Sequence, residues 1–338
     1  MSANRNVDAV VGLLCITIAL AAEASAGEPV ELFPGDLLVT NSLPDILIRV
    51  DPDDGQQTLV PSGLLISDPK AVACTRSVTD GNCERLLVVN GGGHLGLSIL
   101  VSIDPLTGDQ APVTEVGALS FATGIAVSPE GLVFVSQVGE VVEVDLETGD
   151  VTPISSFENL LEPEDLIVDS DGDLLVVDAS SSASLIAIDP DTGIQTVELM
   201  DDGTGQCSDG ILFPRDLVEE ESGTIAVAQG GCVWRYDPDD GAETPIGEGS
   251  NLGTLQGIDI EEDESLVVAN LSARAVLRVD PTSGDTTTVS AGRTITFPTD
   301  VFVVRSPLFV PEPSASALGA AAVLCLGALR ALRKSAHG

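Results

Sequence analysis

One short pattern recurs along the chain: an apolar residue, Asp, usually Pro, two further residues, then Gly. It appears at Val50-Asp51-Pro52 to Gly55, Ile103-Asp104-Pro105 to Gly108, and Val144-Asp145-Leu146 to Gly149. It returns at Ile188-Asp189-Pro190 to Gly193, Tyr236-Asp237-Pro238 to Gly241, and Val279-Asp280-Pro281 to Gly284. The Asp-to-Asp spacings are 53, 41, 44, 48 and 43. Periods of that size, built from short strands, predict a closed or stacked β-repeat array.

Each unit carries four strand-like pieces. In the fourth unit these are Pro163–Val168, Asp173–Val177, Ser184–Ile188 and Ile194–Leu199, and the Asp-Pro-Asp-Thr-Gly turn joins the last two. Pro presets φ and Gly accepts a left-handed position, so the turn chemistry suits the place. Second strands such as Leu86-Leu87-Val88-Val89 and Leu174-Leu175-Val176-Val177 are unbroken apolar runs, as strands covered on both faces require. The first unit begins at its second strand, Asp36 to Thr40, while an orphan first strand, Phe297 to Val303, follows the last unit. Pairing them closes a ring and removes two exposed edges. The expectation is an all-β, six-bladed β-propeller with one-plus-three closure over residues 27–309. An open β-solenoid is the alternative, with shorter repeats and no need of an orphan strand.

Charge narrows the partners. Of 53 acidic and 14 basic residues, those between Gly27 and Phe309 number 50 and 10, a net charge of −40. Such a body repels nucleic acid and anionic membrane surfaces, and cations are its natural counterpart. Cys15 and Cys325 lie in the terminal segments, leaving Cys74, Cys83, Cys207 and Cys232 in the body. The even count in an exported chain predicts two disulfides. Cys74 and Cys83 face each other across one hairpin, and Cys207 and Cys232 fall in loops on one face, so 74–83 and 207–232 are the expected pairs. The absence of a CxxC pair and near-absence of histidine argue against a zinc site.

The two ends read as sorting signals. Arg5, the apolar run Ala9–Ala22 and Ala24-Ser25-Ala26 form a secretory signal peptide over residues 1–26. At the other end, Pro311-Glu312-Pro313 precedes an apolar run from Ala315 to Leu329 and the basic residues Arg330, Arg333 and Lys334. This arrangement over 310–338 resembles the PEP-CTERM sorting signal of Gram-negative bacteria. The resemblance implies a transmembrane helix that anchors the chain transiently in the inner membrane, basic end inward. It further implies an exosortase-type protease as processing partner and delivery to the cell surface or extracellular matrix. A permanent membrane anchor is the alternative.

The body resembles propellers of the NHL-repeat kind and their gluconolactonase and streptogramin-lyase relatives. The likeness rests on the first-strand signature Pro-x-Asp/Gly-apolar-x-Val and on second strands ending in Asp, Asn or Gln. It implies a divalent cation at the channel mouth, with Asp165, Asp178, Asp216, Asp300, Asn90 and Asn270 as metal ligands, from a wider set that includes Asn41, Gln137 and Gln229. Oxygen-only ligands suit Ca2+. The glutamate-led motif of the lactonases is missing, and strand-end backbone satisfaction is the structural alternative for these residues. The loop Asp169-Ser170-Asp171-Gly172-Asp173 has a calcium-loop look, but Asp-Gly in a tight hairpin favours a plain turn. His94, the only histidine of the body, is the one catalytic candidate, without an identifiable supporting residue. Trp234 and Tyr236 alternate on a strand, which favours packing over sugar stacking. The leading expectation is a propeller that binds a surface protein, polysaccharide or small molecule. A calcium-dependent lactonase- or esterase-like hydrolase, or a lyase, is the alternative.

The sorting signals make a direct prediction. In an exosortase-positive host, intact-mass measurement of the surface form should show both ends removed, and in an exosortase-negative host the tail should remain. Retention of the tail in both hosts would leave the permanent anchor.

Overall fold

The Asp turns show how local chemistry sets the architecture. In a computed structural model, described for residues 30–60, 65–76, 83–92, 96–181, 183–200, 214–246 and 252–305, all six turns share one geometry. The Asp Oδ1 accepts the backbone N–H two residues on, as from Leu106 at 2.8 Å, Glu147 at 2.8 Å and Thr282 at 2.8 Å. The Gly N–H donates back to the Asp carbonyl, at 2.8 Å for Gly149 to Asp145, and the six glycines hold φ between 71° and 76°. Amide donors from Thr148, Thr192 and Ser283 hold the carboxyls of Asp145, Asp189 and Asp280 below their ordinary range.

These turns fold the strands into six antiparallel sheets, and the described residues contain no helix. Blade 4 runs Pro163–Val168, Leu174–Asp178, Ser184–Ile188 and Gln195–Met200, close to the expected limits. Blade 1 closes the ring: Pro298–Val303 pairs antiparallel with Leu37–Ser42, setting Val301 opposite Val39 and Val303 opposite Leu37. The other inner strands are Pro69–Arg76, Gly124–Val127, Pro163–Val168, Pro214–Glu219 and Leu255–Ile260, in blades 2 to 6. Blade 2 departs from the simple plan. Its outer strand is only Gln110–Pro112, and Leu119–Ser120 pairs separately with the third strand.

Blade faces are apolar on both sides because each packs against a neighbour. Every adjacent pair of blades encloses its own core: Leu86, Val88 and Leu47 between blades 1 and 2, for example, and Val176, Ile186 and Phe134 between 3 and 4. The ring-closing pair of blades is sealed alike, by Val267, Val276, Leu37 and Val303. Each such buried Leu or Val contributes about 1.5–3 kcal/mol. Trp234 and Tyr236 lie in the core between blades 4 and 5, and the Tyr236 hydroxyl donates to the Glu198 carbonyl at 3.2 Å. Packing is their role in the fold.

Cys74 and Cys83 form the expected disulfide across the blade 2 hairpin, Cα atoms 5.6 Å apart. Cys232 is also disulfide-bonded. Its expected partner Cys207 lies outside the described residues, as do His94, the signal segment and the tail helix. Asp169 Oδ1 accepts from Asp171 at 3.0 Å and Asp173 at 2.9 Å, with Gly172 at φ +92°, so that loop is a hairpin turn.

Turn glycines also set blade spacing. A Cβ on Gly149 would sit 2.2 Å from the Val113 carbonyl oxygen of the preceding blade, whereas one on Gly241 would meet nothing within 4 Å. Both need positive φ, at 76° and 71°. In urea unfolding, Gly241→Ala should therefore lose about 1 kcal/mol and Gly149→Ala about 2–4 kcal/mol. Equal losses would show that the turn does not pack between blades.

Candidate functional site

The inner strands start at one end of the channel, here called the mouth face, and all but blade 3's start with the same local irregularity. In blade 4, Pro163 pairs with Asp178 and Asp165 with Val177, so Glu164 is skipped by the ladder. The same bulge skips Lys70, Arg215, Gln256 and Thr299 in blades 2, 5, 6 and 1. A bulge re-aims the extra side chain out of the sheet. With Thr123 of blade 3, these residues ring a cavity of about 170 Å³, one from each blade, with Asp165 also in its lining. Arg215 Nη1 pairs with Glu164 at 2.6 Å, and Lys70 Nζ with Asp68 at 2.8 Å. Burial raises the Glu164 carboxyl above its ordinary range against the pull of Arg215.

One residue further in, the six strands carry Ala71, Gly124, Asp165, Asp216, Gly257 and Asp300. Carboxylate oxygens of Asp165, Asp216 and Asp300 lie within 4.8 Å of one another. The small residues make this possible. A Cβ on Gly124 would fall 2.2 Å from Asp165 Oδ1, and one on Gly257 would fall 2.8 Å from Asp300 Oδ1. Beyond the trio the channel widens into a cavity of about 350 Å³ that reaches Asp259 and Arg305.

The trio also joins blades. Asp300 Oδ2 accepts the Val72 N–H of blade 2 at 3.0 Å, and Asp216 Oδ2 accepts the Ile258 N–H of blade 6 at 2.6 Å. Deeper in, Asp259 Oδ2 accepts the Val303 N–H at 2.7 Å and its other oxygen pairs with Arg305. Inner strands have no ladder partner on the side facing the axis, so these carboxylates satisfy amides that would otherwise be orphaned. Burial is the main cause that pushes all three acids up. Asp300 reaches about 7 despite amide donors from Val72 and Val301. Asp165 and Asp216, hydrogen-bonded to each other and repelled by neighbouring carboxylates, stand well above the carboxylate range.

Asp178, Asn90 and Asn270 are not in this cluster. Each lies at the end of a second strand and clips the loop entering its own blade. Asp178 Oδ2 accepts from Leu161 at 2.7 Å and Glu162 at 2.8 Å. Asn90 Nδ2 donates to the Leu65 carbonyl at 2.6 Å, and Asn270 bonds the Leu252 carbonyl and the Ala273 N–H. Asn41 and Gln137 do likewise, with Phe297 at 2.8 Å and Ser120 at 2.6 Å. Sequence reasoning missed the ring of bulged residues and the two glycines. Aligning the first-strand signatures would have exposed both, since the ring is the x of Pro-x-Asp/Gly.

This geometry defines the chain as a six-bladed β-propeller with a polar mouth over a buried acidic floor. No family model matches the sequence, and no curated protein matches it. Among solved structures it is similar to a chain of the nidogen/laminin complex, at 13% identity and TM-score 0.66, over 81% of this chain and 99% of that one. It is also similar to a protein of unknown function from Bacteroides caccae, at 14% identity and TM-score 0.57, over 81% and 100%. Virginiamycin B lyase from Staphylococcus aureus follows at 14% identity and TM-score 0.51, over 69% and 73%. At such identities the shared property is the fold.

The acidic floor predicts a pH dependence. With folded pKa values raised above the unfolded value near 3.9, the native state holds more protons, so this contribution is full below about pH 4 and is lost as pH rises through about 7. Without divalent cations, stability in urea should fall between pH 5 and pH 8 by on the order of a few kcal/mol. Asp165→Asn supplies an amide N–H in place of the proton shared with Asp216 and should flatten that slope. An unchanged slope would place the effect elsewhere in the acidic body.

Proposed function

We propose that this propeller is an exported, surface- or matrix-displayed binding module that takes a ligand at its channel mouth, with Ca2+ on the floor formed by Asp165, Asp216 and Asp300. The observation that carries this reading is the convergence of one polar side chain from every blade on a single cavity above those carboxylates. The donor set fits a hard cation: the trio is oxygen-only, and a carboxylate oxygen that accepts one amide retains a second lone pair. A bound cation would relieve the mutual repulsion of three buried acids and leave coordination positions for ligand hydroxyl or carbonyl oxygens. Lys70 is ion-paired with Asp68 rather than free to act as a base, which favours binding over catalysis. Export rests on the signal-peptide pattern, and surface delivery on the PEP-CTERM-like tail with an exosortase as processing partner.

One observation supports a hydrolase or lyase as the second reading. Burial in the metal-free floor pushes the Asp300 carboxyl up to about 7, the range a general base needs. When Ca2+ occupies the floor, Asp300 would be held ionised as its ligand, and the cation would supply carbonyl polarisation in place of the base.

Calcium titration followed by thermal unfolding tests the proposal. Ca2+ should raise the melting temperature more than Mg2+ at equal ionic strength, by the equivalent of about 2.7 kcal/mol at one hundred times Kd. Asp216→Asn with Asp300→Asn should erase the difference. Equal shifts from Ca2+, Mg2+ and matched NaCl would reduce the effect to charge screening. Turnover of a lactone or ester panel that requires Ca2+ and is lost in the same double variant would favour the second reading.

A further inference from the structure

The mouth face carries a second feature, away from the channel. Over blades 2 to 4 its loops expose Leu97, Val116, Phe121, Val138, Phe157 and Leu161. They are linked through neighbouring loops: Phe121 N–H donates to Gly96 O at 3.1 Å, Val138 N–H to Ser120 O at 3.2 Å, and Phe157 N–H to Gly139 O at 2.6 Å. The two aromatic residues stand out. Phe121 and Phe157 are 49% and 66% exposed, yet both hold left-handed backbone, at φ +48° and +52°. Each ring lies over a glycine of the facing loop. A Cβ on Gly96 would fall 2.3 Å from Phe121 Cε2, and one on Gly139 would fall 2.8 Å from Phe157 Cε1.

In blade 6 a glycine holds this loop position. There Gly292, at φ +60°, donates to Arg274 O at 2.9 Å and accepts from Ile295 N–H at 2.9 Å. Phe157 has the same pair of bonds, to Gly139 O and from Leu160 N–H at 2.9 Å. Glycine takes positive φ without steric cost, whereas phenylalanine is strained there and gains little burial in return. An exposed aromatic held at such a cost, beside further exposed apolar side chains, is the signature of a contact surface rather than of stability.

Charge identifies the partner. Between Arg85 and Arg215 the chain has no Lys or Arg, against 14 Asp and 9 Glu. The exposed charged residues among the loops of the crescent, Glu115, Glu158 and Glu162, are all acidic. We propose that this crescent docks a basic protein segment in which Lys or Arg alternates with apolar residues. Its cationic side chains lie across the Phe121 and Phe157 rings with their charges toward Glu115 and Glu158, and its apolar residues cover Leu97 and Val138.

The test is fluorescence anisotropy with a labelled amphipathic Leu/Arg peptide at physiological ionic strength, with Gln/Arg and Leu/Glu peptides of equal length as controls. The Leu/Arg peptide should bind and both controls should bind much more weakly. Phe121→Gly with Phe157→Gly should weaken binding about tenfold or more, as loss of aromatic anchors does. The same double variant should keep or raise the melting temperature, because Gly relieves the backbone. Glu115→Gln with Glu158→Gln should weaken binding several-fold, most at low salt. Equal binding of the Gln/Arg peptide, or full affinity in the glycine double variant, would overturn the proposal. So would self-association in sedimentation velocity that the glycine variant abolishes, because the occupant would then be a second copy of this chain.

Discussion

Pairing of Pro298–Val303 with Leu37–Ser42 makes the array a ring, and the other features follow from that closure. An open array of the same sheets would leave one apolar face of its first and last blades in water. Closure buries both, with Val267 and Val276 against Leu37 and Val303, and gives every blade two neighbours. It also directs six strand starts at one axis. The polar mouth, the acidic floor and the wider cavity beyond are products of that convergence.

The axis is where the fold meets its main conflict. Inner strands cannot ladder to one another, and their amides need acceptors in a space without room for another chain. Asp216, Asp259 and Asp300 resolve this by reaching across to the neighbouring blade, at the cost of burying carboxyl groups. Asp259 has Arg305 beside it, while the trio has only shared protons or a cation to offset its charge. The same carboxylates thus stitch the ring and form at its centre a cluster that could hold a metal ion. Gly124 and Gly257 supply the room, so the metal-competent arrangement depends on which blades lack a side chain as much as on which have one.

The two ends of the propeller divide the remaining surface. Asp-rich turns crowd the end opposite the mouth, their carboxylates already hydrogen-bonded to turn amides, which suits solubility more than recognition. The mouth face holds the polar ring and the apolar crescent. Strain at Phe121 and Phe157 is confined to this face, where a partner could offset it.

Much of the fold was legible because its determinants are local and repeated. The Asp-Pro-x-x-Gly turns, the unbroken apolar second strands and the orphan strand at Phe297–Val303 are properties of short segments, and they specify blade number and closure without knowledge of long-range contacts. The hairpin disulfide Cys74–Cys83 was legible for the same reason. The site was legible only in part. Strand-end position placed Asp178, Asn90 and Asn270 near the mouth, but it did not tell which way a side chain turns, and theirs turn to loop amides and carbonyls. Grouping Asp165, Asp216 and Asp300 required the angular order of blades 4, 5 and 1 about one axis and the empty positions at Gly124 and Gly257. The sequence by itself determined the blades, because turn and strand chemistry act over a few residues. Only the tertiary structure decided which carboxylates meet, because residues far apart in the chain become neighbours only when the ring closes.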